Sequence, residues 1–429
     1  MPSPRMLPSA LRRRLYIAFA AFLVGALSGC DALLTEAPDE TEELAGLVPG
    51  LSAPQRALHL RGDGEFARSF GPADGLGPIF VAASCESCHV GDGKGHPLFV
   101  ITRFGRDLPG GFDPMPSAGG PQLQNRAVLG YIAEQLPSAA TGVTRLIAPA
   151  VSGLGFLDAV DDTTLQRLAD PADANGDGIS GRLQLLDPTA MHANVFAIEQ
   201  GGAGATGTRG TLVGGRHIGR FGKKALAVNL LQQVATAYHE DMGITSDLLP
   251  LDVVNPAVGD AGGDGVPEPE APMSVVHAVT FYMKTLKVPP RRDSASADVL
   301  AGEALFAASD CAKCHVPSLT TGASAIAALD RKTFHPFTDL LLHDMGAALD
   351  DGYTEGSATT SEWRTAPLWG LGLAAAAQGG RMHLLHDGRA SSVEDAISSH
   401  GGEAAASRTW FNSLSAVQRR QLLAYLHSL

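Results

Sequence analysis

The sequence predicts a mainly α-helical fold with two related domains, on the basis of an internal repeat and of helical periodicity. The segments FVAASCESCHV (residues 80–90) and FAASDCAKCHV (residues 306–316) match without gaps at the phenylalanine, one alanine, both cysteines, the histidine and the final valine. Apolar residues also recur at helical spacing in four segments: 226–238, 273–286, 299–306 and 416–429. We place the two domains at residues 51–290 and 291–429.

Each repeat carries the pattern Cys-x-x-Cys-His. The six residues are Cys85, Cys88, His89, Cys311, Cys314 and His315. Two cysteines at this spacing can form a redox disulfide or half of a zinc site, but the histidine that follows favours covalent attachment of a c-type haem. Two thioether bonds then hold the porphyrin and the histidine coordinates the iron. We therefore expect two covalently bound haem c groups in two cytochrome c-like domains.

The fifth cysteine, Cys30, follows a cluster of arginines and an apolar run at residues 15–27, in the sequence LSGC. This pattern predicts a lipoprotein signal peptide at residues 1–29, and an uncleaved anchor helix is the alternative. An acidic tether at residues 30–50 would follow. We expect the chain to be lipid-anchored through Cys30, in the bacterial periplasm or on the outer face of a membrane, where c-type haem is attached.

The chain is acidic, with 45 Asp and Glu against 32 Lys and Arg and a formal net charge of −13. This charge excludes nucleic acid as a favoured partner. It suits a basic partner, such as a small redox donor protein or a quinol-linked cytochrome, although many exported proteins are simply acidic.

Between the two motifs, the sequence predicts an insertion in the N-terminal domain. The segment from 91 to 120 is rich in Gly and Pro and predicts long loops around the first haem, whereas residues 125–135 and 162–169 have a helical pattern. A long acidic stretch at residues 251–272 predicts an exposed loop.

The insertion also contains DPADANGDGISGR at residues 170–182. Asp173, Asn175 and Asp177 alternate as in the first half of a calcium loop, with the Ile179 carbonyl as a further ligand. Position twelve is Gln184, which cannot supply the bidentate carboxylate. The sequence is therefore compatible with two interpretations, a calcium site and an Asx-rich turn without metal.

Six further segments make a specific resemblance visible. They are RFGKKA, HEDMGITS, LLLHDMG, EWRTAPLWGLGL, LHDGRASSVEDAI and HGGEA. Together they resemble the bacterial di-haem oxidoreductases, also called thiol oxidoreductases, a family similar to the di-haem cytochrome c peroxidases. The resemblance implies an oxidoreductase in which the C-terminal haem passes electrons to an N-terminal haem that reduces peroxide or another small oxidant. The alternatives are a non-catalytic electron-transfer protein and a lipoprotein that uses haem structurally.

The resemblance also implies ligands for the second haem. By position, His400 becomes the sixth ligand of the iron held by His315, where relatives use methionine or tyrosine. The competing candidate is Met345, which has His343 beside it. Two imidazole ligands would remove the upward effect of a thioether on the reduction potential.

For the first haem, the resemblance implies that a glutamine and a carboxylate face the open side of the iron. Gln233 and Asp241, the latter followed by Met242, match that pair. Asp241 or its neighbour Glu240 would move a proton during peroxide reduction, as general acid–base catalysis requires. The alternative is a helix end with solvated acids.

One departure from the family concerns the RFGKKA segment, where relatives carry tryptophan and this chain has Lys223. The tryptophans lie elsewhere, at Trp363, Trp369 and Trp410, so electron hopping through an indole at that position is in doubt. Lys223 and Lys224 are instead expected to pair with haem propionates. The thiol-oxidoreductase label has no support in the residues, because two haems and the lipid use every cysteine.

Overall fold

The computed structural model describes residue 44 and residues 46–201, 209–255 and 263–429. The signal peptide, Cys30 and most of the acidic tether lie outside the described residues. The helices are α1 (Ala53–Ala67), α2 (Leu154–Asp158), α3 (Asp162–Leu168), α4 (Ala190–Gly201), α5 (Leu230–Met242), α6 (Met273–Thr285), α7 (Ala297–Ala307), α8 (Cys311–Cys314), α9 (Ala374–Ala377), α10 (Val393–Ser398), α11 (Ala405–Ser413) and α12 (Ala416–Ser428).

The strands are short and form small antiparallel sheets. They are β1 (Ile79–Phe80), β2 (Val100–Leu108), β3 (Gly111–Asp113), β4 (Arg126–Ala127), β5 (Gly142–Ile147), β6 (Leu185–Leu186), β7 (His217–Ile218), β8 (Leu319–Thr320), β9 (Thr333–Phe334), β10 (Leu342–Asp344) and β11 (Glu362–Arg364). The expectation of a mainly α-helical fold is therefore confirmed only in part, because the described chain is a mixture of helices and short strands.

Helix α1 precedes the insertion in the sequence and helix α6 follows it, and the two helices cross closely. Ser52 caps α1 in a capping box with Gln55, which satisfies two amides at the start of the helix. The two helices touch at Gly62, where an added Cβ would lie 2.1 Å from the Ala278 carbonyl oxygen and 2.7 Å from the Tyr282 Cβ. Only glycine permits this approach of the two backbones.

The same arrangement recurs between α7 and α12. Ser415 caps α12 in a capping box with Gln418. The crossing point is Gly302, where an added Cβ would lie 2.0 Å from the Gln421 carbonyl oxygen and 2.7 Å from the Tyr425 Cβ. Each Cys-x-x-Cys-His motif thus follows the first helix of a glycine-centred crossing.

The two crossings correct the ungapped alignment of the repeats. Phe66 lies four residues after Gly62 and has its ring centroid 5.4 Å from that of Tyr282. Phe306 lies four residues after Gly302 and has its ring centroid 5.4 Å from that of Tyr425. The structural counterpart of Phe306 is therefore Phe66 and not Phe80, which lies in β1.

The insertion contains a three-stranded sheet in the order β3-β2-β5. Strands β2 and β5 pair from Val100 opposite Ile147 to Gly105 opposite Gly142, and β-branched residues in both segments suit this conformation. The prediction of a helix at residues 125–135 is wrong, because this part contains only β4 and irregular chain. The helices expected near 162–169, 226–238, 273–286, 299–306 and 416–429 are confirmed.

Helix α5 lies in the main core and positions the candidate acid. Asn229 caps its start, and Gly243 ends it in the left-handed conformation. One face of α5 is buried with α6 in a cluster that includes Leu230, Val234 and Tyr238. At its last turn, the Asp241 carbonyl accepts hydrogen bonds from the amides of residues 81 and 82, just before the first motif.

By backbone contacts, residues 43–429 form one compact unit. The domain boundary near residue 290 stays a prediction. Within the described ranges, no helix combines the length and the apolar character that crossing a bilayer would need.

Candidate functional site

The first motif presents a histidine whose Nδ1 is engaged by the backbone. The Cys85 carbonyl accepts hydrogen bonds from the amides of Cys88 (3.1 Å) and His89 (3.0 Å), so the motif forms one tight turn. The His89 Nδ1 donates to the Pro149 carbonyl oxygen over 2.8 Å, and burial lowers the pKa of its imidazole to about 4. A neutral imidazole held in this way offers Nε2 to a metal, as iron-ligating histidines do.

The second motif has the same geometry. Its cysteines begin and end α8, and the His315 amide donates to the Cys311 carbonyl over 2.9 Å. The His315 Nδ1 donates to the Phe337 carbonyl oxygen over 3.0 Å, and burial lowers the pKa of this imidazole to about 4 as well. Both motifs therefore fix the tautomer that a haem iron requires.

The cysteines of the first motif are held as neutral thiols. Burial raises the pKa of the thiols of Cys85 and Cys88 to about 12, whereas a redox cysteine pair or a zinc ligand needs a thiolate. Within the described chain, the only group of at least three candidate metal ligands within 4.8 Å of one another consists of carboxylates. The two cysteine pairs are thus not gathered into one zinc site.

A carboxylate and a glutamine lie near the first motif. Gln122, which is 2% exposed, donates through Nε2 to Asp241 Oδ1 over 2.7 Å and to the Glu240 carbonyl over 2.9 Å. Burial raises the pKa of Asp241 to about 7, although the hydrogen bond from Gln122 opposes this shift. Asp241 is near enough to both cysteines to raise the pKa of their thiols further. A group with this pKa can both accept and donate a proton near neutrality.

Gln122 is a site residue that sequence reasoning missed. The glutamine predicted to accompany Asp241 is Gln233, which lies in the first turn of α5, eight positions before Asp241. The glutamine that contacts Asp241 comes from an irregular segment 119 positions earlier. No local pattern in the sequence could have identified it, because the insertion brings the two residues together.

Glu240 has a structural partner. Its carboxylate forms an ion pair with Arg103 in β2 over 3.2 Å, and Arg103 lies 3.1 Å from the Glu355 carboxylate. Arg103 therefore connects the inserted sheet both to α5, through Glu240, and to the segment that contains Glu355. Asp241 is the better candidate for proton transfer.

The second motif faces a different set of groups. His400 is close enough to His315 to lower the pKa of that imidazole further. The His400 Nδ1 donates to the Ala396 carbonyl oxygen over 2.7 Å, which leaves Nε2 free. The turn that carries Met345 packs against the glycines after His400, since a Cβ on Gly401 would lie 2.8 Å from the Met345 carbonyl oxygen.

His343 is held by two carboxylates. Its Nδ1 lies 2.7 Å from Glu403 Oε2 and its Nε2 lies 2.8 Å from Asp339 Oδ2. Burial opposes a charge on this ring, but these hydrogen bonds raise its pKa to about 12. His343 is therefore an imidazolium, 3.7 Å from the Cys314 sulfur, and neither of its nitrogens is available to iron.

The two lysines of RFGKKA have different environments. Lys224 Nζ donates to Asp351 over 3.2 Å and to three backbone carbonyls, and it lies 4.3 Å from the centre of the Trp363 ring. Its charge is thus fully compensated, and the expectation of a propionate partner is not supported for Lys224. Lys223 has no ion pair within the described ranges.

The predicted calcium loop contains several side-chain to backbone hydrogen bonds. Asp173, Asn175 and Asp177 accept hydrogen bonds from backbone amides at residues 177 to 179, and Asp177 also pairs with Lys313 over 3.1 Å. These contacts are compatible with both interpretations, and the calcium ion stays a prediction.

A group of acids that sequence reasoning did not single out lies in the loop before α6. Its carboxylates, all within 4.8 Å of one another, belong to Asp252, Asp264, Glu268 and Glu270. Burial raises the pKa of Glu268 to about 7, so protons can reduce the repulsion between these acids.

The comparisons with known proteins decide the family. The family model described as "Di-haem oxidoreductase, putative peroxidase" matches residues 139–429. The chain belongs to this family. The match implies haem as cofactor for this di-haem oxidoreductase, and it includes His315, His400 and Asp241. It begins after the first motif, so haem attachment at Cys85, Cys88 and His89 stays a prediction.

Solved structures give weaker likenesses. A MauG-like protein associated with microbial copper homeostasis is 15% identical with a TM-score of 0.23, and the match covers 36% of this oxidoreductase and 56% of that chain. Hydrazine synthase of Kuenenia stuttgartiensis is 12% identical with a TM-score of 0.35, and the match covers 100% of both chains. Because both TM-scores are below 0.5, neither superposition supports a statement about function. No curated protein matches the sequence.

Proposed function

We propose that this oxidoreductase is an exported di-haem c-type enzyme of the cytochrome c peroxidase type. His315 would hold a C-terminal haem that supplies electrons, and His89 would hold an N-terminal haem at which peroxide or another small oxidant would be reduced. The observation that carries this proposal is the pairing of the buried Gln122 with Asp241, a partly buried acid of near-neutral pKa close to the first motif.

The described residues fit two covalently bound haems. In each motif, two protonated thiols precede a histidine whose Nδ1 donates to a backbone carbonyl. Bound haem would supply the one-electron redox chemistry. The cysteines would hold the porphyrin edge, and His89 and His315 would each supply one iron ligand.

The chain itself contributes proton transfer at the first site. Gln122 donates to Asp241 Oδ1, so the second carboxylate oxygen remains available to a substrate. In its ionised form Asp241 accepts a proton from peroxide, and it then returns this proton to the oxygen that leaves as water. Burial of Asp241 keeps the two protonation states similar in free energy near pH 7.

At the second site, we propose that His400 is the sixth iron ligand. His400 lies near His315, and its Nδ1 is held by the Ala396 carbonyl. Two imidazoles would make this haem low-spin and unreactive towards peroxide, which suits a haem that only transfers electrons. Met345 is the alternative ligand at this position.

The same pair of histidines favours a second candidate function, a di-haem electron carrier without substrate. EPR of the oxidised, haem-loaded protein distinguishes the two functions. The enzyme predicts one low-spin ferric signal and one high-spin ferric signal that responds to peroxide. Two low-spin signals that peroxide leaves unchanged, before and after half-reduction, would favour the carrier.

We also propose the location and partners from the sequence. A lipid on Cys30 would tether the protein to the outer side of a bacterial membrane. The acidic composition supports a basic electron donor, either a small redox protein or a quinol-linked cytochrome. A Cys30→Ser variant expressed in a bacterium would test the anchor, because it should move from the membrane fraction to the soluble fraction.

A further inference from the structure

Three cationic side chains meet close to the first motif: Lys94, Lys223 and Arg364. Lys94 follows His89 by five residues, and the Arg364 amide donates to the Lys223 carbonyl over 3.0 Å. Burial and the neighbouring charges of Lys94 and Arg364 lower the pKa of Lys223 well below its usual value. Burial also lowers the pKa of Lys94 to about 8 and that of Arg364 to about 10. We call these three residues the cationic cluster.

The cationic cluster differs from the other buried cations of the chain. Arg103, Lys224 and Lys284 each have a carboxylate oxygen within 3.2 Å. Where the chain is described, neither Lys94 nor Lys223 has an ion pair. The acid whose charge acts on both lysines is Asp387, and it is already bound to Arg389 over 2.7 Å.

Such a group of charges is costly unless an anion joins it. Removing an ammonium from water requires a compensating charge or hydrogen bonds, and the charges of Lys94 and Arg364 raise this cost for Lys223. The guanidinium of Arg364 is held in place, since its Nε and Nη1 donate to the carbonyls of Gly222 and Thr365 over 2.9 and 3.1 Å. The arrangement is therefore preformed for an anionic ligand.

The surroundings of the cluster locate that ligand. The Ala148 carbonyl accepts from the amide of Gly95, next to Lys94, over 2.8 Å, and the following carbonyl, that of Pro149, accepts from His89 Nδ1 over 2.8 Å. The charge of Lys223 also acts on the imidazole of His89, so the cluster borders the first haem site. The charge of Asp339 acts on both Arg364 and His315, so the other side of the cluster faces the second motif. A carboxylate attached to a group on His89 would thus lie between the two motifs.

We propose that Lys94, Lys223 and Arg364 bind the propionate carboxylates of the haem attached at Cys85 and Cys88. This inference rests on the proposed di-haem function. The propionates carry two negative charges at the edge of the porphyrin, and Arg364 can bind a carboxylate through two parallel hydrogen bonds. The cluster would thereby orient the first haem with this edge towards the second motif.

The test is a Lys223→Met variant of the haem-loaded protein, with the exposed Lys332→Met as the matched control. Loss of a cation beside a propionate favours the ferric state. We expect the reduction equilibrium of the first haem to shift about tenfold towards the ferric form, or about 59 mV for one electron. The propionate bending bands in resonance Raman spectra should shift as well. Lys223→Arg should restore both, and Lys332→Met should change neither.

Other outcomes would overturn the inference. If Lys223→Met and Lys94→Met bind the first haem with unchanged potential and Raman bands, the cluster does not hold the propionates. A changed spin state in Lys223→Met would make the lysine an iron ligand. A potential of the unmodified protein that depends on added phosphate would indicate a site for soluble anions. If the unmodified protein takes up no haem, the proposed function itself fails.

Discussion

The two Cys-x-x-Cys-His motifs have the same local geometry, but different side chains surround them. Each histidine donates its Nδ1 proton to a backbone carbonyl, and each motif follows a helix that crosses its partner at a glycine. Around the first motif lie the acid Asp241, which titrates near neutrality, and the cationic cluster. Around the second lie His400 and the protonated His343 with its two carboxylates.

This difference shows how one helix-and-motif unit can serve two purposes. The attachment geometry depends on residues within each repeat, whereas reactivity depends on what the rest of the chain places opposite the histidine. A proton donor and acceptor at the first site suits chemistry on a small oxidant, and an imidazole at the second suits electron transfer.

The largest expected effect comes from Asp241→Asn. The amide keeps the shape of the side chain but cannot accept a proton, so kcat/KM for peroxide should fall by about 10²- to 10⁴-fold. The absorption spectrum of the second haem should not change. Steady-state kinetics with Asp187→Asn, an exposed acid, provide the control. Full activity in Asp241→Asn would remove the proposed difference between the two sites.

The two glycine crossings should be similarly sensitive to an added methyl group. Gly62→Ala and Gly302→Ala would each place a Cβ about 2 Å from a carbonyl oxygen of the facing helix. Each should lower the free energy of unfolding by about 1–3 kcal/mol, measured by urea denaturation of the haem-loaded protein.

Gly64→Ala is the matched control for Gly62→Ala. It lies in the same helix, and a Cβ added at this position would have no heavy atom within 4 Å, so alanine should stabilise α1 by up to about 1 kcal/mol. Equal destabilisation by both substitutions would mean that the close crossing at Gly62 does not explain the effect.

His400→Met should raise the reduction potential of the second haem only. A thioether stabilises the ferrous state relative to an imidazole, and we expect at least a tenfold shift in the reduction equilibrium, about 59 mV. Spectroelectrochemical titration should leave the first haem unchanged, and His335→Met, at an exposed position, should alter neither haem. An unaltered second haem in His400→Met would favour Met345 as the ligand.

A smaller effect is expected from pH. The pKa of Asp241 is raised to about 7, so Asp241 is protonated below this pH and ionised above it. Because the ionised form accepts the proton of peroxide, kcat/KM should rise with pH and reach about half of its plateau at pH 7. Asp241→Asn should lose this dependence. A profile that falls between pH 6 and 8 would contradict the assignment of Asp241 as the base.

The same shift affects stability in the opposite direction. Since folding raises the pKa of Asp241, the folded protein binds more protons than the unfolded chain between about pH 4 and 7. This contribution to stability is present at low pH and is lost as the pH rises through about 7. The folded protein is therefore less stable when Asp241 is ionised, which is the form proposed to accept the proton.

The sequence alone determined the features that depend on nearby residues. The spacing of Cys85, Cys88 and His89, and of their counterparts at 311, 314 and 315, is enough to predict haem attachment, because one turn of chain brings these side chains together. The long helices were also predictable, since their apolar residues repeat with the period of the buried face. The choice of His400 depended on its position relative to family motifs.

Only the tertiary structure decided which distant residues meet. Gln122 reaches Asp241 from 119 positions away, and Lys94, Lys223 and Arg364 come from three separate segments. The match of Phe66 with Phe306 required the helix crossings, because the segment between helix and motif is longer in the first repeat. Contacts between segments far apart in the chain depend on how the insertion folds. The local spacing of residues in the sequence does not predict these contacts.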